Sequence, residues 1–268
     1  MEDHNQKSPV CVLDASNYIG FWILKGLLNK GYTVHAAIQP NGEKEIQNEI
    51  KEMEKVNEKL FLFEVDVLDY HSILVALKDC CALFCSLDGP DEYDDLLVDL
   101  EVRGVINVVE ACAQSDSIEK VVFTSSLTAA IWREDIGSEI VVDERSWSDP
   151  EFCRKLKLWY ALAKTLSEQA AWALAMDRML CMNGVLAFVD VNFLADVHIR
   201  AFEDRSTCGR YFCFNQIVNT SEQAFKLAQS LSPLIPLPPR YECKGSEVYA
   251  ERLKTKKLDK LVEDAACF

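Results

Sequence analysis

The stretch Val10-Cys11-Val12-Leu13-Asp14-Ala15-Ser16-Asn17-Tyr18-Ile19-Gly20 decides the fold of this chain. It opens with an uninterrupted apolar run, which is typical of a buried β-strand. From Tyr18 to Asn29 the apolar residues recur at helical spacing, and Gly31 follows as the type of residue that ends helices. The stretch therefore predicts a buried strand, a short turn and a helix.

The same alternation of strand and helix continues along the chain. Apolar runs predict further strands over residues 32–38, 60–65, 82–85, 120–125, 185–191 and 211–215. Helical patterns cover residues 43–59, 72–78, 101–113, 159–179, 193–202 and 221–230. Because the strands are apolar throughout rather than at every second residue, they indicate a parallel sheet covered by helices on both faces. We predict an α/β fold, a Rossmann-type doubly wound parallel sheet with a small C-terminal lobe.

Composition and charge exclude several kinds of partner. The chain has 268 residues, of which 28 are basic and 43 acidic, so its net charge is −15. Nucleic-acid binding needs clustered Lys and Arg, and we expect none. No apolar run approaches the roughly 20 residues that cross a bilayer, and the polar residues 1–7 do not form a secretory signal. The eleven cysteines lack zinc-ligand spacing, so we expect reduced thiols, no metal and a cytoplasmic location.

Three residues in the second half form a pattern with recognisable chemistry. Ser126 follows the strand predicted over 120–125, at the strand end where open α/β sheets bind ligands. Tyr160 and Lys164 are four positions apart on the long helix and therefore share one face. An ammonium beside a tyrosine lowers the pKa of the phenol, and a serine opposite can orient a carbonyl group. The pattern predicts a proton donor for carbonyl reduction.

With these motifs the chain resembles the extended short-chain dehydrogenase/reductases, in particular plant cinnamoyl-CoA reductases and dihydroflavonol reductases. The resemblance covers nearly the whole chain and rests on the turn 13–20, the strand 120–126 and the helix 159–172. It implies an NAD(P)-binding Rossmann domain over 1–182. Residues 183–268 would be the C-terminal portion of the same domain plus a reduced substrate lobe and tail. It further implies an NADP(H)-dependent oxidoreductase, with NAD(H) as the alternative cofactor, that reduces an aryl or phenylpropanoid carbonyl.

The resemblance also assigns roles to individual residues. Tyr160 would donate the proton, Lys164 would lower the pKa of Tyr160 and hold the nicotinamide ribose, and Ser126 would orient the carbonyl. The substrate would be a small aromatic molecule, and the oligomeric state stays open. The residues implied as cofactor ligands are Ser16, Asn17, Tyr18, Ile19, Gln39, Lys44, Asp66, Val67, Tyr160 and Lys164.

The cofactor side departs from the family pattern. The family turn reads approximately T-G-A-S-G-Y-I-G, so Asp14 and Asn17 stand in place of glycines. Asn tolerates positive φ better than most residues, whereas a carboxylate near a pyrophosphate is repulsive unless it is protonated, paired or turned away. Gln39 stands where these reductases commonly carry arginine. Lys44 could supply positive charge nearby, although its interpretation as a surface helix residue is favoured, and Asp66 would equally suit a helix N-cap.

The substrate side departs as well. Where the family runs H-T-A-S-P, this chain has Cys85-Ser86-Leu87-Asp88-Gly89, and Leu87 is expected to crowd the cofactor side. Several tens of family residues have no counterpart between Met182 and Asn183, as a splice variant would explain. Either a central strand is lost or residues 185–191 take its place. These departures support an alternative hypothesis, a catalytically impaired relative that acts as a non-enzymatic binding protein. His198 is interpreted as structural.

Overall fold

The structure is a computed structural model that describes residues 8–89, 93–134, 141–177, 181–187, 190–214 and 256–263. Within this part of the chain, seven parallel strands form one sheet in the order β3-β2-β1-β4-β5-β6-β7. They are β1 (Val10–Leu13), β2 (Val34–Ile38), β3 (Leu60–Glu64), β4 (Ala82–Cys85), β5 (Lys120–Ser126), β6 (Cys181–Ala187) and β7 (Gly209–Cys213). The strand order reverses between β1 and β4, which is the switch point of a doubly wound sheet. The predicted Rossmann-type fold is confirmed.

Helices cover both faces of this sheet. They are α1 (Tyr18–Asn29), α2 (Lys44–Glu54), α3 (Tyr70–Leu77), α4 (Asp95–Gln114), α5 (Thr128–Ile131), α6 (Pro150–Lys155), α7 (Trp159–Asp177), α8 (Val191–Glu203) and α9 (Lys256–Glu263). Alternate strand residues enter opposite cores: Val10 and Val12 pack with α1 and α8, whereas Cys11 and Leu13 pack with α3, α4 and α7. No helix among these is long and apolar enough to span a membrane.

The junction between Met182 and Asn183 lies inside a strand. β6 pairs with β5 along its whole length, from Lys120 opposite Cys181 to Ser126 opposite Ala187. The strand predicted over 185–191 therefore starts at Cys181, and the position beside β5 is filled rather than lost. The boundary between 182 and 183 divides a strand, so the two ranges share one sheet. From β6 the chain passes within a few residues into α8, whose N-cap is Asp190.

The remaining differences from the predicted elements concern their ends. α4 begins at Asp95 rather than at residue 101, because Asp94 caps it by accepting a hydrogen bond from the amide of Leu97. The helices α5 and α6, of four and six residues, are too short to show a periodic pattern. The late helix α9 was not predicted although Leu258, Leu261 and Val262 recur in it at helical spacing. The helix predicted over 221–230 lies outside the described residues.

A buried ion pair fixes α7 on the sheet. The carboxylate of Glu168 accepts hydrogen bonds from the guanidinium of Arg210 on β7, with Nε to Oε1 at 2.7 Å, and from the hydroxyl of Ser125 on β5 at 2.8 Å. The Arg210 guanidinium also donates to the carbonyl of Ser146, so it connects α7 and β7 to the segment before α6. Because both charges are buried and paired, these contacts give α7 one position over β5.

His198 occupies the structural position that the resemblance implies. Its side chain is fully buried on α8, its Nδ1 donates to the carbonyl of Leu194 at 2.8 Å, and its Nε2 accepts from the hydroxyl of Thr124 on β5 at 2.9 Å. This arrangement uses the neutral imidazole. Burial lowers the pKa of His198 to about 4, and the bond to Leu194 only partly opposes that effect.

His198 gives the folded chain a testable pH dependence. An unfolded histidine binds a proton near pH 6.5, whereas this one stays neutral to about pH 4 when folded. Its contribution to stability is therefore complete above about pH 6.5 and is lost as pH falls towards 4, by roughly 3 kcal/mol in total. Urea unfolding across this range should show that loss in the unchanged chain and a clearly flatter profile in His198→Gln. Parallel profiles would contradict the assignment.

Candidate active site

The structure brings Ser126, Tyr160 and Lys164 together at the carboxyl end of the sheet. Ser126 is the last residue of β5, and Tyr160 and Lys164 lie one turn apart near the start of α7. The Ser126 side chain lies near enough to Tyr160 to lower the pKa of the phenol, and the Lys164 ammonium is 5.3 Å from the centre of the Tyr160 ring. Ser126 Oγ accepts from the hydroxyl of Thr128 at 2.9 Å. The three residues thus lie together at one strand end, as the sequence pattern predicts.

Tyr160 opens onto a cavity of about 540 Å³. The side chain of Tyr160 is 37% exposed there, and the ring of Tyr93 packs edge-on against it at 5.2 Å between centres. Aromatic and apolar groups dominate the walls, as is typical of a site for an aromatic ligand. The lining residues are Asp88, Gly89, Tyr93, Thr128, Trp132, Lys157, Leu158, Trp159, Tyr160 and Ala161.

Lys164 is buried and surrounded by acceptors. Its Nζ donates to the carbonyl of Leu87 at 2.8 Å and is 3.2 Å from Asp88 Oδ1 and 3.2 Å from Glu101 Oε1. Burial alone lowers the pKa of Lys164, but the two carboxylates outweigh it, and the net pKa lies above the ordinary value. Lys164 is therefore a permanent cation in a site that holds two acids.

The pKa of Tyr160 reflects burial as well as the charges around it. Burial raises the pKa of the Tyr160 phenol most, Lys164 lowers it, and Asp88 and Glu101 raise it again, so the net pKa lies above the ordinary value near 10. Lys164 therefore acts on Tyr160 in the expected direction, but burial of the phenol outweighs its effect.

Glu101 and Tyr93 are site residues that the sequence reasoning missed. Glu101 lies on α4, one turn before the buried Val105, and the Tyr93 hydroxyl donates to its Oε2. A glutamate at the inward spacing of an otherwise apolar helix face is a signal that could have identified it. Leu87 is buried in the core beside β4, and its carbonyl rather than its side chain contacts the triad.

Asp14 is turned away from the start of α1. Its side chain is 3% exposed, its Oδ1 accepts from the amide and hydroxyl of Ser16, and its Oδ2 accepts from Gln39 Nε2 at 3.0 Å. Burial raises the pKa of the Asp14 carboxyl, and the bonds from Ser16 and Gln39 lower it in part. The carboxylate is thus hydrogen-bonded inside the protein instead of facing solvent.

The amino end of α1 keeps the features of a dinucleotide-binding turn. Asn17 is its N-cap and accepts from the amide of Gly20 at 2.8 Å, while Tyr18 is 56% exposed. A side chain at Gly20 would place its Cβ 1.9 Å from the carbonyl oxygen of Asp14, so this glycine lets α1 pack directly on the end of β1. No acidic residue lies in the first turn of α1. This helix end fits a pyrophosphate group.

The other residues implied as cofactor ligands differ in whether a ligand could reach them. Ser16 is fully buried and accepts from the amide of Gln39, so a ligand would reach it only after local rearrangement. Lys44 is exposed at the first turn of α2.

The pair Asp66 and Val67 follows β3. The Asp66 carboxylate accepts from the amide of Leu68 at 2.9 Å, and α3 is capped instead by Asp69. The N-cap alternative for Asp66 is therefore wrong. Val67 packs against Gly104 of α4.

Comparisons with known proteins agree on one family. Residues 11–189 match the model of the 3-beta hydroxysteroid dehydrogenase/isomerase family. Cinnamoyl-CoA reductase 1 of Petunia hybrida is 30% identical over 285 aligned residues, covering 93% of this chain and 84% of that protein. Tetraketide alpha-pyrone reductase 1 of Arabidopsis thaliana is 26% identical over 307 residues, covering 96% and 94%. Both alignments are longer than the 268 residues of this chain, so they contain relatives' residues that it lacks.

Solved structures show the same fold. Vestitone reductase from alfalfa superimposes with a TM-score of 0.76 at 24% identity, covering 95% of this chain and 92% of that one. A yeast methylglyoxal/isovaleraldehyde reductase complexed with NADPH superimposes with a TM-score of 0.73 at 19% identity, covering 95% and 93%. The relatives contain residues that this chain lacks, and their placement between Met182 and Asn183 stays a prediction.

The close approach of α1 to β1 can be tested with a matched pair of substitutions. Alanine favours a helix over glycine by about 1 kcal/mol, but in Gly20→Ala the new Cβ meets the backbone of Asp14, which cannot move aside. We expect Gly20→Ala to lower the free energy of unfolding by about 2 kcal/mol or more. The control Gly26→Ala on the same helix meets only the end of the Ile199 side chain, so its change should stay within about 1 kcal/mol. Equal losses in urea titrations would contradict this packing.

Proposed function

The chain belongs to the 3-beta hydroxysteroid dehydrogenase/isomerase family, and from this membership we propose that it is an NADP(H)-dependent reductase of a small aromatic carbonyl compound. The observation that carries the proposal is the grouping of Ser126, Tyr160 and Lys164 at the wall of a cavity lined by aromatic side chains. The relatives named above are reductases, which supports the same reaction class here.

The turn before α1 would bind the pyrophosphate of a dinucleotide, and Lys164 of the triad would bind its nicotinamide end. The amides at the start of α1, in Tyr18 and Ile19, would hold the pyrophosphate, and Gly20 provides the close approach of helix and strand. Lys164 would hold the nicotinamide ribose. Gln39 and Lys44 near the end of β2 do not decide between NADP(H) and NAD(H), and the preference for NADP(H) comes from the family resemblance and from the reductase solved with NADPH. When bound, the cofactor would supply a hydride to the carbonyl carbon of the substrate.

Tyr160 would supply the proton that the reaction requires. As negative charge develops on the carbonyl oxygen, the Tyr160 hydroxyl would donate to it and the Ser126 hydroxyl would stabilise it from the other side. Because the pKa of Tyr160 lies above its ordinary value, the phenol stays protonated at neutral and mildly alkaline pH. The half-buried rings of Tyr93 and Trp159 would exclude water from the reacting atoms.

The cavity supports an aromatic substrate without a large anionic group. Among its lining residues, Lys157 is the one cation and Asp88 the one anion. A phosphate-bearing carrier would need concentrated positive charge, which these residues do not provide. A free aromatic aldehyde or ketone therefore fits the described part of the site better than a CoA ester.

A second function is favoured by one observation. The Lys164 ammonium already donates to the carbonyl of Leu87 and is paired with Asp88 and Glu101, and Ser16 and Gln39 are bonded to Asp14. A chain that keeps these bonds would be the catalytically impaired relative that serves as a binding protein.

Substitution of Tyr160 tests the proposal directly. Tyr160→Phe removes the proton donor and keeps the ring, so turnover of an aromatic aldehyde with NADPH should fall by at least about a hundredfold. Its affinity for NADPH and its unfolding midpoint should change little. The control Tyr32→Phe removes a hydroxyl that bonds Glu203 at the opposite end of the sheet and should retain most of the turnover. An unchanged rate in Tyr160→Phe would refute the role given to Tyr160.

A further inference from the structure

The two acids beside Lys164 differ in their surroundings. Asp88 follows β4 in a loop, and its side chain is 49% exposed. Glu101 lies on α4 beneath the triad, and its side chain is 9% exposed. A carboxylate that is screened by water acts weakly on its neighbours, whereas a buried one acts strongly. Glu101 is therefore the acid with the larger influence on the Lys164 ammonium.

Three acceptors surround the Lys164 ammonium. Its Nζ donates a hydrogen bond to the carbonyl of Leu87 and forms ion pairs with Asp88 Oδ1 and Glu101 Oε1. Because Glu101 is the buried partner, its ion pair restrains where Nζ lies.

A second residue holds Glu101 in place. The Tyr93 hydroxyl donates to Glu101 Oε2 and accepts from the amide of Gly89 at 2.8 Å, while its ring packs against Tyr160. One oxygen of Glu101 therefore faces Lys164 and the other faces Tyr93. This arrangement is a built network between α4, α7 and the loop after β4, not a chance surface contact.

We propose that Glu101 is a positioning residue that, together with Tyr93, holds the Lys164 ammonium beside the Tyr160 ring. The role in catalysis rests on the reductase function proposed above, whereas the position of Lys164 does not. Glu101 also raises the pKa of Tyr160, although less than burial and Asp88 do, so its removal can be measured at the phenol. The titratable and charged groups that face Tyr160 are Lys164 from α7, Asp88 from the loop after β4, Tyr93 and Glu101 from α4 and the loop before it, and Lys157 from the segment before α7.

The test measures the ionisation of Tyr160 in the full chain without cofactor. Tyrosine ring carbons are labelled and followed by NMR up to about pH 11, and the Tyr160 signal is the one absent from Tyr160→Phe. In Glu101→Gln the pKa of Tyr160 should fall by about half a unit or more, because a like charge is removed and Lys164 is freed. Asp88→Asn should also lower it, since Asp88 raises the pKa of Tyr160 as well. Glu110→Gln, the same change further along α4, should give none.

The outcomes separate this inference from the reductase proposal. An equal or higher pKa of Tyr160 in Glu101→Gln, or no ionisation by about pH 11 in either protein, would overturn the inference. Glu101→Ala replaces the glutamine variant if that variant does not fold. In turnover assays the alkaline limb of the pH profile should move down in Glu101→Gln by the same amount. A pKa shift without any turnover would refute only the reductase function.

Discussion

The parallel pairing of β1 with β4 is the constraint on which the site depends. It places the turn after β1 beside the loop after β4, where the side chain of Asn17 donates to the carbonyl of Ser86. The same loop provides Leu87 and Asp88, which hold Lys164. One strand pair at the switch point of the sheet therefore connects the cofactor end of the site to the triad end.

Charge inside the site is arranged unlike a simple tyrosine–lysine pair. A lone ammonium would stabilise phenolate, and Lys164 does lower the pKa of Tyr160, but burial of the phenol outweighs it and Asp88 and Glu101 oppose it further. At the other end Asp14 is buried against Ser16 and Gln39 instead of facing solvent. In both places a buried acid has polar partners: Asp14 accepts hydrogen bonds from Ser16 and Gln39, and Glu101 is paired with Lys164. The protein therefore folds with both acids buried.

Periodicity was sufficient to predict the sheet and most helices, because the strands are apolar throughout and α1 ends at a glycine. Spacing was sufficient to bring Ser126, Tyr160 and Lys164 to one strand end and one helix face. The partners of Asp14, the position of Glu101 beneath Lys164 and the start of β6 at Cys181 depend on contacts between residues far apart in sequence. Local patterns carry no information about such contacts, and in β6 the polar Asn183 weakened the strand signal.

The most direct test of the account is a calorimetric titration of the full chain with NADPH. We predict saturable binding with a dissociation constant in the micromolar range, on the order of −8 kcal/mol, because the start of α1 is open and Asp14 is turned inward. Heat changes that do not saturate at millimolar NADPH, in a chain that is otherwise folded, would contradict the reductase account and leave the non-enzymatic alternative.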